Sequence, residues 1–472
     1  MKTVKELLRY LEGAVQVEGD RVVVLDEAAL PDKMDEVVYT AVFGQALVRE
    51  TARWLIWEVG QAVGVYPASI HQLYVEVGTD DAPSNYTVPA MNIRAMNYNT
   101  SRAVFRAANK MDVGAMIFEI ARSEMGYTGQ RPAEYTTSII AAALKEGYRG
   151  PLFIQGDHFQ ISPARYASDP DAEVQAIKDL MVEAVDAGFF NIDIDASTLV
   201  DLSYPTLDEQ QKLNYTHCAE LTSFARSIEP EGITISLGGE IGEVGHKNST
   251  VEELDAFMSG YLKKLIEAEG ETVTGISKIS VQTGTSHGGV VLPDGTLADV
   301  KVDFNTLHDL SKTARDSYGL GGAVQHGAST LPPDAFNKFP EVGTVEIHLA
   351  TGFQNMIYDN LPQELVDAAY DYLRENHKNE WKPGKTEDQV LYSARKRAIG
   401  PFKQQWWDLP AEKQAEIGQV LEDQFAFLFK QLNVYGTRQF AKKKTTRVTI
   451  HKPRPHEVGE EAAEEDVSDL AD

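Results

Sequence analysis

The 472-residue chain has one cysteine, Cys218, which rules out an intramolecular disulfide framework and suits a reducing compartment. Basic residues are scarce: 44 Lys and Arg stand against 71 Asp and Glu, a formal charge of −27. Binding to nucleic acid or to anionic lipid is driven by Lys and Arg neutralising phosphate, so the balance argues against both partners. An anionic small molecule would need a locally positive pocket. No stretch approaches the roughly 18 consecutive apolar residues that span a bilayer. The first residues, MKTVKELLRYLEG, are charged and amphipathic, without the apolar core and small-residue cleavage site of a signal peptide, so a cytoplasmic location is expected. There is no internal repeat, no GxxxxGK[ST], no EF-hand loop and no GxSxG, which leaves nucleotide binding, calcium binding and serine-nucleophile chemistry without support. Cys218 follows His217 in a helical pattern and reads as packed, not reactive.

What is present is enough apolar material for a large core, 43% hydrophobic with 9% aromatic. Residues 1–84 read as a mainly helical accessory segment, with helical patterns from Glu6 to Val15 and from Met34 to Val63. From Tyr86 onward, short β-rich runs alternate with helical patterns, the signature of a parallel sheet. Eight runs are visible: TVPAMNI from Thr87, GAMIFEI from Gly114, GPLFIQG from Gly150, FFNIDID from Phe189, GITISLGG from Gly232, ISKISVQTG from Ile276, GGAVQHG from Gly321 and GTVEIHLATG from Gly343. Eight is the number at which a parallel sheet closes on itself as a filled barrel, so residues 85–352 are expected to form a (β/α)8 TIM barrel. Residues 353–455 read as a helical C-terminal extension, and 456–472 as an acidic disordered tail.

The reactive residue types gather at one end of these runs. Run three ends in Asp157-His158 and run four reaches Asp195; run five ends in Glu240, run six is followed by His287, run seven ends in His326, and run eight carries His348. In a barrel the ends of sequence-distant strands converge at the C-terminal face, where the active site sits. Three histidines with carboxylates make a plausible ligand set for zinc or another divalent cation. Glycines flank them at Gly156, Gly238-Gly239, Gly288-Gly289 and Gly327, and glycine lets backbone amides approach a ligand closely.

In order and spacing, YTVPAMNI, SEMGY from Ser123, GDH at 156–158, GFFNIDIDAS from Gly188, GGEIGEVG from Gly238, TGTSHGG from Thr283 and VQHGAST from Val324 resemble the class II, metal-dependent fructose- and tagatose-bisphosphate aldolases. The resemblance implies a lyase that cleaves a ketose phosphate, with His158, His287 and His326 on a catalytic metal such as Zn2+ and Asp157 as the proton-transferring carboxylate. It implies that Glu240 and Asp195 stand at or near the metal, and that Gly288, Gly327 and Ser329 grip a substrate phosphate; Ser123 and His348 are further candidate substrate contacts. A homo-oligomer is also implied.

Three places depart from the family. The Asn-x-Asp-Thr pattern of strand eight is replaced by Glu346, Ile347, His348 and Leu349, although Thr351 could restore a hydroxyl at a shifted register. An acidic pair after strand five aligns with Lys247 and Asn248, leaving Glu243 as the nearby acid. An arginine near the C-terminus aligns with Gln424, with Arg395 and Arg397 as possible substitutes. These changes leave the implied metal site intact and open the substrate. Rival readings are a metal-dependent sugar isomerase or epimerase on the same barrel, and a non-catalytic aldolase-like subunit. A Schiff-base aldolase would need a buried lysine, and the candidate, Lys278, opens strand six at the end away from the site.

Overall fold

The computed structural model describes residues 1–79, 85–242, 247–284, 292, 301–456 and 470. All eight sequence runs become strands of one parallel barrel: β4 (Val88–Asn92), β5 (Ile117–Ala121), β6 (Gly150–Gln160), β7 (Asn191–Asp195), β8 (Ser236–Glu240), β9 (Lys278–Val281), β10 (Ala323–Gln325) and β11 (Glu346–Leu349). Closure is made by β11 pairing with β4 and by β6 pairing with β7. The N-terminal residues supply three strands before these, a hairpin of β1 (Val15–Glu18) and β2 (Arg21–Val24), and β3 (Val65–Ala68). β3 lies parallel to the first residues of the long β6, from Gly150 to Phe153, and β7 takes over as its neighbour from Gln155. Among the described residues no helix is long and apolar enough to cross a membrane.

Strand composition explains which side chains fill the interior. Side chains alternate across a strand, so in Asn191-Ile192-Asp193-Ile194-Asp195 the two isoleucines face the helices and the polar residues face inward. The same alternation puts Glu346 and His348 of β11 inside, with Ile347 and Leu349 outside. Paired registers carry the inward set round the wall: Asn92 stands beside Glu119, Glu119 beside Gln155, Asp193 beside Gly238, and Gly238 beside Lys278. A filled barrel usually stacks branched aliphatic residues here. This one stacks an ionic cluster.

Lys278 is its centre. The side chain is fully buried, and its Nζ lies 2.5 Å from Glu346 Oε1, 2.9 Å from Asp193 Oδ1 and 2.7 Å from Gln155 Oε1. Tyr74, from the helix His71–Gly78, donates to Glu346 Oε2 at 2.5 Å. Gly238 makes room for this arrangement, because a Cβ there would come 2.3 Å from Asp193 Oδ1 and 2.9 Å from Lys278 Cε. Burial opposes the ammonium, but Asp193 and Glu346 hold it charged above the ordinary lysine range. Such a lysine is a poor Schiff-base nucleophile, which agrees with the reading that set it aside. Cys218 is likewise packed, buried in the helix Leu207–Ile228 with its thiol pushed up by burial to about 12.

Candidate active site

The C-terminal ends of the strands open into a cavity of about 180 Å3 whose wall includes Asn92, Glu119, Asp157, His158, His326, Gly327, Ser329 and His348. Asp157 and His158 are sequence neighbours, so a regular strand would send them to opposite faces. β6 breaks register with β7 between Gly156 and Phe159, and His158 adopts φ +42, a left-handed conformation unfavourable for any residue but glycine. This bulge turns both side chains to the cavity. Gly156 permits it, since a Cβ there would meet the Phe159 ring at 2.3 Å.

His158 Nδ1 is held 3.2 Å from Asp195 Oδ2 and 3.3 Å from Glu240 Oε2, and its Nε2 lies 3.7 Å from Asp157 Oδ1. Asp195 is itself fixed by Gln160 Nε2 at 2.7 Å and by Ser197 Oγ at 2.6 Å. A carboxylate on one ring nitrogen is the usual way a ligating histidine is oriented. His326 bonds Ser280 Oγ through Nε2 at 2.9 Å and stands 3.4 Å from Glu240 Oε1. Glu240 therefore bridges the two histidines, whose ring centroids are 4.5 Å apart.

The electrostatics fit a cation. Burial opposes charge on His158, but Asp157 and Glu240 hold the ring protonated well above its usual range. Burial, and then the charge of Asp195, pushes Glu240 up to about 8. His158 and Glu240 thus hold protons beside Asp195, which its hydrogen bonds and the charge of His158 keep ionised against burial, and a divalent ion satisfies the same demand. Donor atoms of Asp157, His158 and His326 lie within 4.8 Å of one another, as do those of His158, Asp195 and Glu240. His287 and Gly288 lie outside the described residues, as does Glu243.

Ser329 lines the cavity, its Oγ accepting the Ala350 amide at 2.6 Å, and Gly327 beside it has φ +69. Ser123 is not brought there: it is buried at the start of the helix Arg122–Thr128, away from the lining. Thr351 does reach the wall. Glu346 does not, because Lys278 holds it in the barrel interior, so it presents no carboxylate to an incoming phosphate. His348 lines the cavity but is ringed by carboxylates, at 2.7 Å from Glu346, 3.1 Å from Glu119 and 3.2 Å from Asp157.

The cavity's other wall is one that the sequence did not announce. Arg94, just past β4, donates to the Tyr127 hydroxyl at 3.0 Å and pairs with Glu124 at 3.3 Å. With it stand Tyr392, Ser393 and Lys396. They belong to the helix Glu387–Ala394 and the turn after it, started by a reciprocal cap in which Thr386 Oγ1 accepts the Gln389 amide and Gln389 Oε1 accepts the Thr386 amide. The basic run SARKR was visible, but the residue that reaches the cavity is the one between the two arginines considered. Arg395 donates to Asn355 and lies over the Tyr358 ring, and Arg397 pairs with Glu380 at 2.8 Å. Gln424 is not part of the lining. Burial, then the nearby Arg94 and Arg397, lowers Lys396 to about 7.

The family model of the class II fructose-bisphosphate aldolases matches residues 76–403. No curated protein matches the chain. Among solved structures, a probable tagatose 6 phosphate kinase from Sinorhizobium meliloti 1021 is 17% identical with a TM-score of 0.52, over 76% of this chain and 93% of that one. A fructose-bisphosphate aldolase from Campylobacter jejuni is 16% identical with a TM-score of 0.48, over 80% and 97%. The YdjI aldolase from Escherichia coli K12 is 14% identical with a TM-score of 0.47, over 79% and 99%. At 17% identity the likeness with a TM-score of 0.52 speaks for the fold alone, whereas the family match spans the barrel and the basic residues of its cavity, and on it the chain belongs to the class II fructose-bisphosphate aldolase family.

Proposed function

We propose that the chain catalyses metal-dependent, reversible aldol cleavage of a ketose phosphate, giving a dihydroxyacetone-type fragment and an aldehyde. The observation that carries this reading is the polarity of one cavity: a histidine and carboxylate cluster on one wall and the cations Arg94 and Lys396 on another. His158 and His326 would hold the ion, with His287 the third ligand and Glu240 and Asp195 supporting them. When bound, a divalent ion supplies Lewis acidity to the substrate's carbonyl and hydroxyl oxygens. Asp157 takes the proton of the hydroxyl on the carbon that will become the aldehyde. The carbon–carbon bond breaks, its electron pair stays with the ketone fragment and delocalises into the adjacent carbonyl as an enediolate, and a proton is delivered to the enediolate carbon that lost the bond. Ser329 and the Gly327 backbone would hold one phosphate, and Lys396 with Arg94 would receive an anionic group at the other end.

Fructose 1,6-bisphosphate and tagatose 1,6-bisphosphate are the substrates to test, in protein as purified, after chelation and after zinc restoration, with triose phosphate as the readout. Cleavage that chelation removes and zinc restores is expected. Epimer or isomer without triose phosphate would assign the site to isomerisation, and inert protein that retains no metal would assign it to a non-catalytic subunit.

The basic wall makes a second expectation. Between pH 7 and 9 a phosphate monoester, with a second pKa of about 6, is already dianionic, so of the anion-facing cations Lys396 is the one that titrates, while Glu240, pushed up to about 8, titrates on the histidine side. The lysine's charge is lost as pH rises through about 7, while a bound anion favours the charged form. The KM for a phosphorylated substrate should rise over this window, and Lys396→Ala should show a raised KM with that rise flattened. An unchanged pH profile in the variant would remove Lys396 from substrate binding.

A further inference from the structure

Two side chains of the cavity wall each keep an oxygen without a hydrogen bond. Asn92 and Glu119 are 2% and 0% exposed, both line the cavity, and they stand side by side, paired in register at the ends of β4 and β5. Paired residues of neighbouring strands are about 4.8 Å apart, so the two side chains form one patch. Asn92 Nδ2 donates to Glu124 Oε2 at 2.5 Å, an oxygen that also accepts the Ala121 amide at 2.8 Å. A carboxylate oxygen takes the NH2 end of an amide, so the carbonyl end is the one left over, and nothing among the described residues donates to Asn92 Oδ1. Glu119 is held by its other oxygen: Oε2 accepts Gln155 Nε2 at 3.0 Å and lies 3.1 Å from His348 Nδ1, whereas Oε1 makes no hydrogen bond with the described residues. A buried acceptor left unpaired is unfavourable unless something enters to meet it.

The order round the wall says what enters. β6 carries Asp157 beside Ala121 of β5, β5 carries Glu119, β4 carries Asn92, and Arg94 follows Asn92 by two residues and lines the cavity with Lys396. On the aldol reading above, on which this inference rests, Asp157 takes the proton of the hydroxyl on the carbon that becomes the aldehyde, and Arg94 with Lys396 receives the anion at the chain end. The patch therefore meets the carbon in between. A phosphate or carboxylate at that carbon would bring no donor to Asn92 Oδ1. A hydroxyl both donates and accepts, so it serves Asn92 and pairs with Glu119 Oε1 in either protonation state. We propose that Glu119, with Asn92 beside it, is a specificity-determining residue that reads a free hydroxyl next to the aldehyde carbon, so that the aldehyde fragment is a 2-hydroxyaldehyde with an anionic end.

The probes are D-glyceraldehyde 3-phosphate and its 2-deoxy counterpart, each condensed with dihydroxyacetone phosphate by the zinc-loaded full chain. The deoxy aldehyde leaves both buried acceptors unpaired, so its kcat/KM should be lower by about 100-fold or more. In Glu119→Ala, which removes one of those acceptors, the ratio between the two aldehydes should shrink by at least about tenfold. A fold defect or a misplaced ion would slow both aldehydes alike and leave the ratio where it was, so the ratio separates recognition from damage. Asn92→Ala should shrink it as well, and it serves if Glu119→Ala does not fold. Equal kcat/KM for the two aldehydes in the unaltered protein would overturn the proposal and leave the aldolase reading standing, with water on the two oxygens. So would a preference that survives both variants. Protein that condenses neither aldehyde would remove the aldolase reading and the proposal with it.

Discussion

Replacing Asp157 by Asn should lower kcat by about 10²- to 10⁴-fold, the usual contribution of a positioned proton-transfer group. The side chain keeps its size and its place beside Ala121 of β5, so the bulge and the cavity should survive. Since the missing proton transfer belongs to the transition state alone, kcat and kcat/KM should fall together with KM little changed. Zinc on His158 and His326 should remain, because Asp157 faces those rings without supplying either of them. Steady-state kinetics with a metal assay on the same preparation checks this. A variant with nearly full activity would remove Asp157 from the proton path, and one that loses the His158 ion would make it a ligand.

Replacing Lys278 by Met should be the most damaging change to the fold. It leaves Glu346 and Asp193 buried without their ammonium partner, with His348 beside them, and removing one partner of a buried pair costs about 3–5 kcal/mol. The pH dependence has a definite sign. In the unaltered protein Lys278 helps to hold Glu346 down at about 2 against burial, below its unfolded value, so its contribution is fully present above that unfolded value and lost only as pH falls through about 2. Without the lysine, burial raises Glu346 above its unfolded value, so the variant is penalised at pH 8 and recovers as pH falls and the acid takes a proton. Denaturant midpoints at pH 8 and pH 5 should therefore converge for the variant and the unaltered protein. A deficit of the same size at both would mean that lost packing, not lost charge, is the cause. Lys278→Met with Glu346→Gln should recover part of the loss at pH 8.

The barrel was legible because its strands alternate so plainly. Asn191-Ile192-Asp193-Ile194-Asp195 shows the period directly, and each of the eight runs ends at a turn. β3 was not legible: Val65–Ala68 is four residues long, contains Pro67, and pairs with only the first part of β6, where a missing N–H is tolerated. The same position-in-strand logic marked Asp157, His158, Asp195, Glu240 and His326, all of which the structure gathers at one mouth. It could not show what holds Glu346 in the interior, because that depends on Lys278, two strands earlier in the chain. Nor could it single out Lys396. Nothing local distinguishes that lysine from its neighbours; only the docking of a capped helix on the barrel does. Ser123, marked by its motif, lies buried at the start of a helix, while its neighbours Ala121 and Glu124 line the cavity.

The two walls of the cavity have different origins: the acid and histidine wall is made by strand ends, and much of the basic wall by residues 392–396, beyond the last strand. During synthesis the strand ends of the pocket are therefore complete before Tyr392, Ser393 and Lys396 have left the ribosome. The same division makes the pocket modular in descent. Exchange of the segment around Thr386 to Ala398 would change one side of the cavity while leaving the strand ends as they are.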